Sequence, residues 1–248
     1  MKAVILAGGS GTRLHPLTLA TNKHLFAVYD RPVIYYAIEK LVEAGIYKIM
    51  IVTSGTHVED FIKLLGSGKH FLRPDGKQIQ IVYGIQNEPN GIAFGLYIAK
   101  EYVGKDDCLL YLGDNIFDDT LIDHIKDFKG GAKVFLKRVK DPQRFGVATL
   151  GTDNRVVKIE EKPRKPKSNL AVTGLYLYDS TVFDKMADQQ PSERGEYEIT
   201  YINNKYLAEG RLDAVILKKP WFDVGTFDSL LEASVYMRKR RLKVKKDK

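Results

Sequence analysis

Short apolar runs alternate along the chain with segments in which apolar residues recur every three to four positions. Residues 2–7 (KAVILA), 47–54 (YKIMIVTS), 78–84 (QIQIVYG), 108–114 (CLLYLGD) and 132–139 (AKVFLKRV) are short, rich in Val and Ile, and cut off by glycine or polar residues. That is the pattern of buried strands. Between them, residues 32–45, 57–66, 91–104 and 120–128 carry helical periodicity. The alternation predicts an α/β fold with a mostly parallel sheet covered on both faces. After residue 139 the pattern changes to the shorter strands GVATLG, RVVKIEEKP and AVTGLYLYD, interrupted by KPRKPKS. This part is expected to form a β-rich lobe continuous with the first sheet. The whole chain, 1–248, then reads as one domain with parts at 1–139, 140–225 and 226–248, the last a helix with a basic tail.

Composition narrows the class. At 248 residues, with 44% hydrophobic and 28% charged residues, the chain can bury a substantial core and has the make-up of a globular protein. No run approaches membrane-spanning length and no signal-like stretch opens the chain, so a cytoplasmic location without membrane contact is expected. The single cysteine, Cys108, lies inside an apolar run and reads as a core residue, which excludes a disulfide within one chain. The net charge of +8 is partly local, because residues 238–248 carry eight Lys and Arg against one Asp. No aromatic residue is interleaved there, so a solvated helix end is expected in preference to nucleic-acid binding.

In open α/β sheets ligands bind beyond the carboxyl ends of the strands. The first such end carries LAGGSGTRLHPLT (6–18), whose glycines let bare backbone N–H groups approach an anion. It is not the dinucleotide fingerprint, since Leu14 stands where the third glycine is needed, and Thr12-Arg13 breaks the P-loop pattern. Pro16 argues for an extended continuation rather than an immediate long helix. By itself the loop fits an ordinary glycine-rich turn equally well. Asp114 ends the strand before Asn115, and Asp223 sits at another strand-to-turn junction. Two such carboxylates with phosphate oxygens would suit Mg²⁺, although each alone also fits a turn or helix cap. Arg13, Lys23 and Lys162 occupy loop positions from which they could neutralise phosphates, and each alone suits a surface charge.

Taken together and in order, LAGGSGTRL, NKHL, DRPVIYYAIEKL, LGDN, FGV, EEKP, KSNLAVTGLYLYD, GEYEIT and WFDVGT resemble the sugar-1-phosphate nucleotidylyltransferases, most closely their short-form thymidylyl-transferring members. The resemblance spans Met1 to about residue 235. It implies a Rossmann-like fold, Mg²⁺, and transfer of a nucleotidyl group from dTTP or UTP to glucose 1-phosphate with release of pyrophosphate, by a homo-oligomer. In that reading 1–139 holds the nucleotide and 140–225 the sugar. The loop formed by Leu6, Ala7, Gly8, Gly9, Gly11 and Thr12 cradles nucleoside and phosphates. Arg13 and Lys23 meet the triphosphate, and Gln86, Pro89 and Gly91 shape the pyrimidine site. Asp114 and Asp223 hold Mg²⁺, Gly146, Glu161, Thr173, Gly174 and Glu196 line the sugar, and Lys162 meets its phosphate. Asn115 and Trp221 complete the substrate contacts. Ala27, Phe94 and Val224 depart from residues common at those positions, which leaves dTTP and UTP both open. A regulatory second site is not expected, because longer relatives build it from a C-terminal extension. The alternative is a catalytically silent nucleotide-sugar-binding regulatory protein on the same fold, which would have no need of both metal carboxylates.

Overall fold

The structure is a computed structural model and describes the backbone of residues 1–246 and the side chains up to residue 243. β1 (Lys2–Leu6) runs into a loop with short 3₁₀ turns at Thr12–Leu14 and Lys23–Leu25 and a one-turn helix α1 (Leu17–Ala20), followed by the small hairpin β2 (Ala27–Val28) and β3 (Arg31–Pro32). There follow α2 (Val33–Glu43), β4 (Lys48–Thr53), α3 (Val58–Leu65), β5 (Gln80–Ile85), α4 (Ile92–Ile98), α5 (Lys100–Val103), β6 (Cys108–Leu112), β7 (Asn115–Phe117) and α6 (Ile122–Lys126). The second half comprises β8 (Ala132–Arg138), β9 (Gly146–Leu150), β10 (Val156–Glu161), β11 (Leu170–Tyr178), α7 (Ile199–Ala208), β12 (Leu212–Ile216), β13 (Trp221–Asp223) and α8 (Phe227–Lys246). The helical pattern over 91–104 resolves into two helices that meet at Ala99. The segment after the glycine loop is not extended but coils into the short turns above, and α8 runs past residue 242. The last residues of the basic tail lie outside the described residues.

β5, β4, β1 and β6 form a parallel block in that order. β11 then pairs antiparallel with β6, β8 and, at one end, β9, which itself pairs with β10. β12 closes the edge parallel to β8. The sheet is thus mixed, with a larger antiparallel share than the strand–helix alternation suggested. Short connections such as that between β9 and β10 can only join antiparallel neighbours.

Both faces of the sheet are covered. In β1, Ala3 and Ile5 enter one core with α2 and α3, while Val4 enters the other with residues of α4 and α7. Burial on two faces explains why the strand reads as a continuous apolar run. Every residue of β11 is buried, and Cys108 lies fully in the core, where burial pushes its thiol up to about 12. A third cluster, including Val28, Val33, Ile116, Val224, Ala233 and Met237, fastens α8 beneath β7 and β13. The Tyr236 hydroxyl adds a hydrogen bond to Asp118 Oδ2 at 2.6 Å. The C-terminal helix therefore supports the strand pair that carries Asp223.

Candidate active site

The carboxyl ends of the parallel strands share one rim, and two adjoining cavities open there. The first, of about 210 Å³, is lined by Leu6, Gly8 and Gly9 of the glycine loop, by Lys23 and His24, by Gln86, Pro89 and Gly91, and by Asp114 and Glu196. The second, of about 170 Å³, is lined among others by Arg13, Asn115, Arg144, Gly146, Glu161, Lys162, Thr173, Gly174, Trp221 and Asp223. Ile92, Leu112 and Glu196 belong to both. Residues spread from 6 to 223 in the sequence thus meet in one cleft.

Three of the residues expected in the phosphate loop line neither cavity. The N–H of Ala7 donates to Val52 O at 2.7 Å, and its carbonyl accepts from Asn22 Nδ2 at 3.0 Å and Thr53 Oγ1 at 3.1 Å. An N–H already bonded to β4 is not free to cradle a phosphate, so Ala7 extends the ladder one residue past β1. Gly11 and Thr12 follow behind Lys23, where Gly11 accepts a hydrogen bond from Thr18 and Thr12 opens a 3₁₀ turn. Gly91 is required for a reason the sequence did not disclose. Its φ is 97°, and a Cβ there would stand 2.7 Å from Tyr197 O. The residue lets the Glu196–Tyr197 backbone press against the turn, which brings Glu196 to the boundary between the cavities.

β13 pairs antiparallel with β7, setting Asp223 opposite Asn115, and the Val224 N–H donates to Asp114 O at 2.8 Å. Both candidate metal carboxylates are thereby carried to the same place. Asp114 forms an ion pair with Lys23 and accepts a hydrogen bond from Asn115 Nδ2 at 2.8 Å. Burial opposes its ionisation, but the Lys23 charge and these hydrogen bonds outweigh burial and hold the carboxyl well below the usual range. Asp223 behaves oppositely, because burial and the charge of Asp114 push its carboxyl above the usual range. Lys23, Arg13 and Arg144 only partly offset this. Two half-buried carboxylates, one of them poorly compensated, form a donor set suited to a divalent cation. Among the described residues no group of three or more His, Cys, Asp and Glu could hold a metal. The fit is therefore to an ion such as Mg²⁺ that takes one or two carboxylates and completes its shell with water and ligand oxygens.

Asn115 organises this centre from within the protein. Its Oδ1 accepts from the Gly174 N–H at 3.1 Å and from Trp221 Nε1 at 2.7 Å, while its Nδ2 holds Asp114. It is 2% exposed, and these bonds make its amide a brace for Asp114 and Trp221 at the cavity wall. Thr173 is likewise engaged inward, donating to Phe135 O at 2.8 Å. In the second cavity Glu161 Oε2 accepts from Thr200 Oγ1 at 2.5 Å. Arg194 lies 3.7 Å from Glu161, 2.8 Å from Glu196 and 3.3 Å from Glu198. Burial pushes the Glu198 carboxyl up. Arg144, Phe145, Arg194, Glu198 and Thr200 escaped the sequence reading of the site. Their signal was present in the quoted stretches FGV and GEYEIT and the residues beside them, but nothing local says which side chains turn inward.

The nucleotidyl transferase family model matches residues 2–240. The chain is 43% identical to a glucose-1-phosphate thymidylyltransferase of Mycolicibacterium smegmatis over 244 residues, 96% of this chain and 82% of that one. It is also 43% identical to the enzyme of the same name from Neisseria meningitidis, with the same coverage. Among solved structures, a Bacillus anthracis protein assigned as a glucose-1-phosphate thymidylyltransferase and solved with sucrose superposes with a TM-score of 0.89 at 45% identity, covering 96% of this chain and 95% of that one. A UDP-glucose pyrophosphorylase complexed with UDP-glucose shares the fold, with a TM-score of 0.83 at 23% identity over 96% and 98% of the two chains. With the match running through the glycine loop, Asp114 and Asp223 alike, the chain belongs to the nucleotidyl transferase family.

Proposed function

We propose that this protein joins dTTP and glucose 1-phosphate to give dTDP-glucose and pyrophosphate, with Mg²⁺ held by Asp114 and Asp223. The observation that carries the reading is the pair of adjoining cavities, one walled by the glycine loop and Gln86, the other by Glu161, Lys162 and Gly174, with Asp114 on the first and Asp223 on the second. Two ligands bound side by side there would face each other across Glu196 and Leu112. Gln86 offers an amide that can match the donor and acceptor edge shared by thymine and uracil. UTP is therefore a second acceptable donor, and dTTP is preferred because the relatives at 43% identity are named for it.

The chemistry needs no activated side-chain nucleophile. A phosphate oxygen of glucose 1-phosphate attacks the α-phosphorus of dTTP, forming one P–O bond. The bond from that phosphorus to the bridging oxygen of the β-phosphate breaks, and pyrophosphate leaves with the electron pair. No proton has to move. A bound Mg²⁺ would supply charge neutralisation at the phosphates. The chain's own contribution is alignment of two anions and placement of Arg13, Lys23 and Lys162 where charge accumulates. Lys23, paired with Asp114 as the site stands, would turn to the phosphates once a cation occupies that carboxylate.

The reading extends to a homo-oligomer in the cytoplasm. Among the described residues no helix is long and apolar enough to cross a membrane. Phe227, Leu231, Val235 and Leu242 leave an exposed apolar row along α8 that a second copy could cover; sedimentation analysis measures the assembly. A matrix of nucleoside triphosphates against sugar 1-phosphates, followed by pyrophosphate release, tests the activity. The highest rate is expected for dTTP with glucose 1-phosphate, and absence of release with every pair would refute the reading.

A further inference from the structure

Arg144 is not among the residues the sequence pointed to, yet its guanidinium is fixed at the edge of the second cavity. Nη1 donates to Asp141 Oδ2 at 2.8 Å, and the guanidinium stacks 5.3 Å from the centre of the Phe145 ring. Phe145 in turn packs edge-on against Trp221 at 5.3 Å. These contacts hold the plane of the fork. Nη2 points to Asp223 Oδ2 at 3.6 Å, within ion-pair range but too far for a hydrogen bond. Among the described residues, one of its five N–H donors, on Nη1, is hydrogen-bonded to a side chain.

The charge around this group makes it consequential. The second cavity is lined by the carboxylates Glu161, Glu196, Glu198 and Asp223 against the cations Arg13, Arg144 and Lys162. Arg194 pairs with Glu161, Glu196 and Glu198, so the carboxylate from which an anion entering beside Arg144 must be screened is Asp223. Arg144 is the cation within ion-pair distance of that aspartate.

We infer that Arg144 binds the phosphate of the incoming sugar 1-phosphate, using its unspent donors as a fork and shielding that phosphate from Asp223. Arginine suits the task because its rigid planar donors match phosphate oxygens and its face can stack on Phe145. The inference rests on the activity proposed above and adds a binding residue for the acceptor substrate.

Steady-state kinetics of Arg144→Met and Arg144→Lys test it. Methionine keeps an apolar stem against Phe145 while removing charge and donors. The KM for glucose 1-phosphate is expected to rise roughly ten- to a hundredfold in Arg144→Met, as for a lost charge-assisted hydrogen bond. The KM for dTTP should stay within about twofold, because that substrate occupies the other cavity, and Arg144→Lys should recover part of the loss. An unchanged KM for glucose 1-phosphate in Arg144→Met would overturn the inference. So would equal rises for both substrates with a lowered melting temperature, which mark a structural role. A wild-type protein that forms no product overturns the proposed activity itself. Normal wild-type turnover with an indistinguishable Arg144→Met overturns the role of Arg144 alone.

Discussion

Acid should unfold this protein through His24, and the structure supplies the magnitude. His24 is 2% exposed, between the glycine loop and Asp114. Asn22 Nδ2 donates to Ala7 O, so Asn22 Oδ1 is the acceptor for both the His24 N–H at 2.9 Å and Nδ1 at 2.6 Å. The proton of the neutral ring therefore sits on Nδ1. Burial, reinforced by the Lys23 charge and opposed by Asp114, lowers the imidazole to about 3 from 6.5. Between those values the unfolded chain binds a proton that the folded chain refuses. The stabilisation is complete above pH 6.5 and is lost as pH falls toward 3. At pH 5 the unfolded side chain lies about 1.5 pH units below its midpoint, which at about 1.36 kcal/mol per unit costs about 2 kcal/mol of folding stability. His24→Asn places an amide where Nδ1 donates and removes the titration. Urea unfolding of both proteins at pH 8 and pH 5 measures the effect. The wild type should lose about 2 kcal/mol more than the variant between the two. Equal losses would refute the assignment of a buried, neutral His24.

Asp114→Asn and Asp223→Asn should each lower turnover roughly a hundredfold or more, measured as pyrophosphate release across a Mg²⁺ titration, and chelation of the metal should stop the wild type. Near-wild-type rates in both variants would remove the metal assignment. Gln86→Ala should narrow the preference for dTTP over CTP by roughly ten- to a hundredfold, because a mispaired buried hydrogen bond costs about 1–3 kcal/mol. Competition between the two nucleotides in one assay reads this directly. Gly174→Ala should cost about 1–3 kcal/mol of stability by overpacking. Its Cβ would stand 2.7 Å from Asn115 Oδ1 and from Leu112 Cβ. Since Asn115 also holds Trp221 and Asp114, turnover should fall with it, and a shifted tryptophan emission would report the movement.

Local chemistry determined what the sequence could reveal. The period of apolar positions marked β1, β4, β6 and β8 and the helices between them, since strand and helix geometry impose those periods on any buried face. Gly8-Gly9 after an apolar run, and Asp114 and Asp223 at strand ends, identified the rim of the sheet before its shape was known. Tertiary structure alone decided how these pieces meet. The insertion of β11 between β6 and β8, and the pairing of β7 with β13, join segments separated by roughly 30 to more than 100 residues, and no short-range pattern specifies such partners. The positioning role of Asn115 was not legible because its hydrogen-bond partners, Asp114, Gly174 and Trp221, are mostly remote in sequence. Ala7 read as part of the cradle because sequence does not say that its N–H is spent on Val52. Arg144 was indistinguishable from a solvated charge until folding stacked it on Phe145 and turned it toward Asp223. Periodicity and turn chemistry act over a few residues and are written in the sequence; desolvation, ion pairing and the direction of a side chain depend on neighbours that only the folded chain supplies.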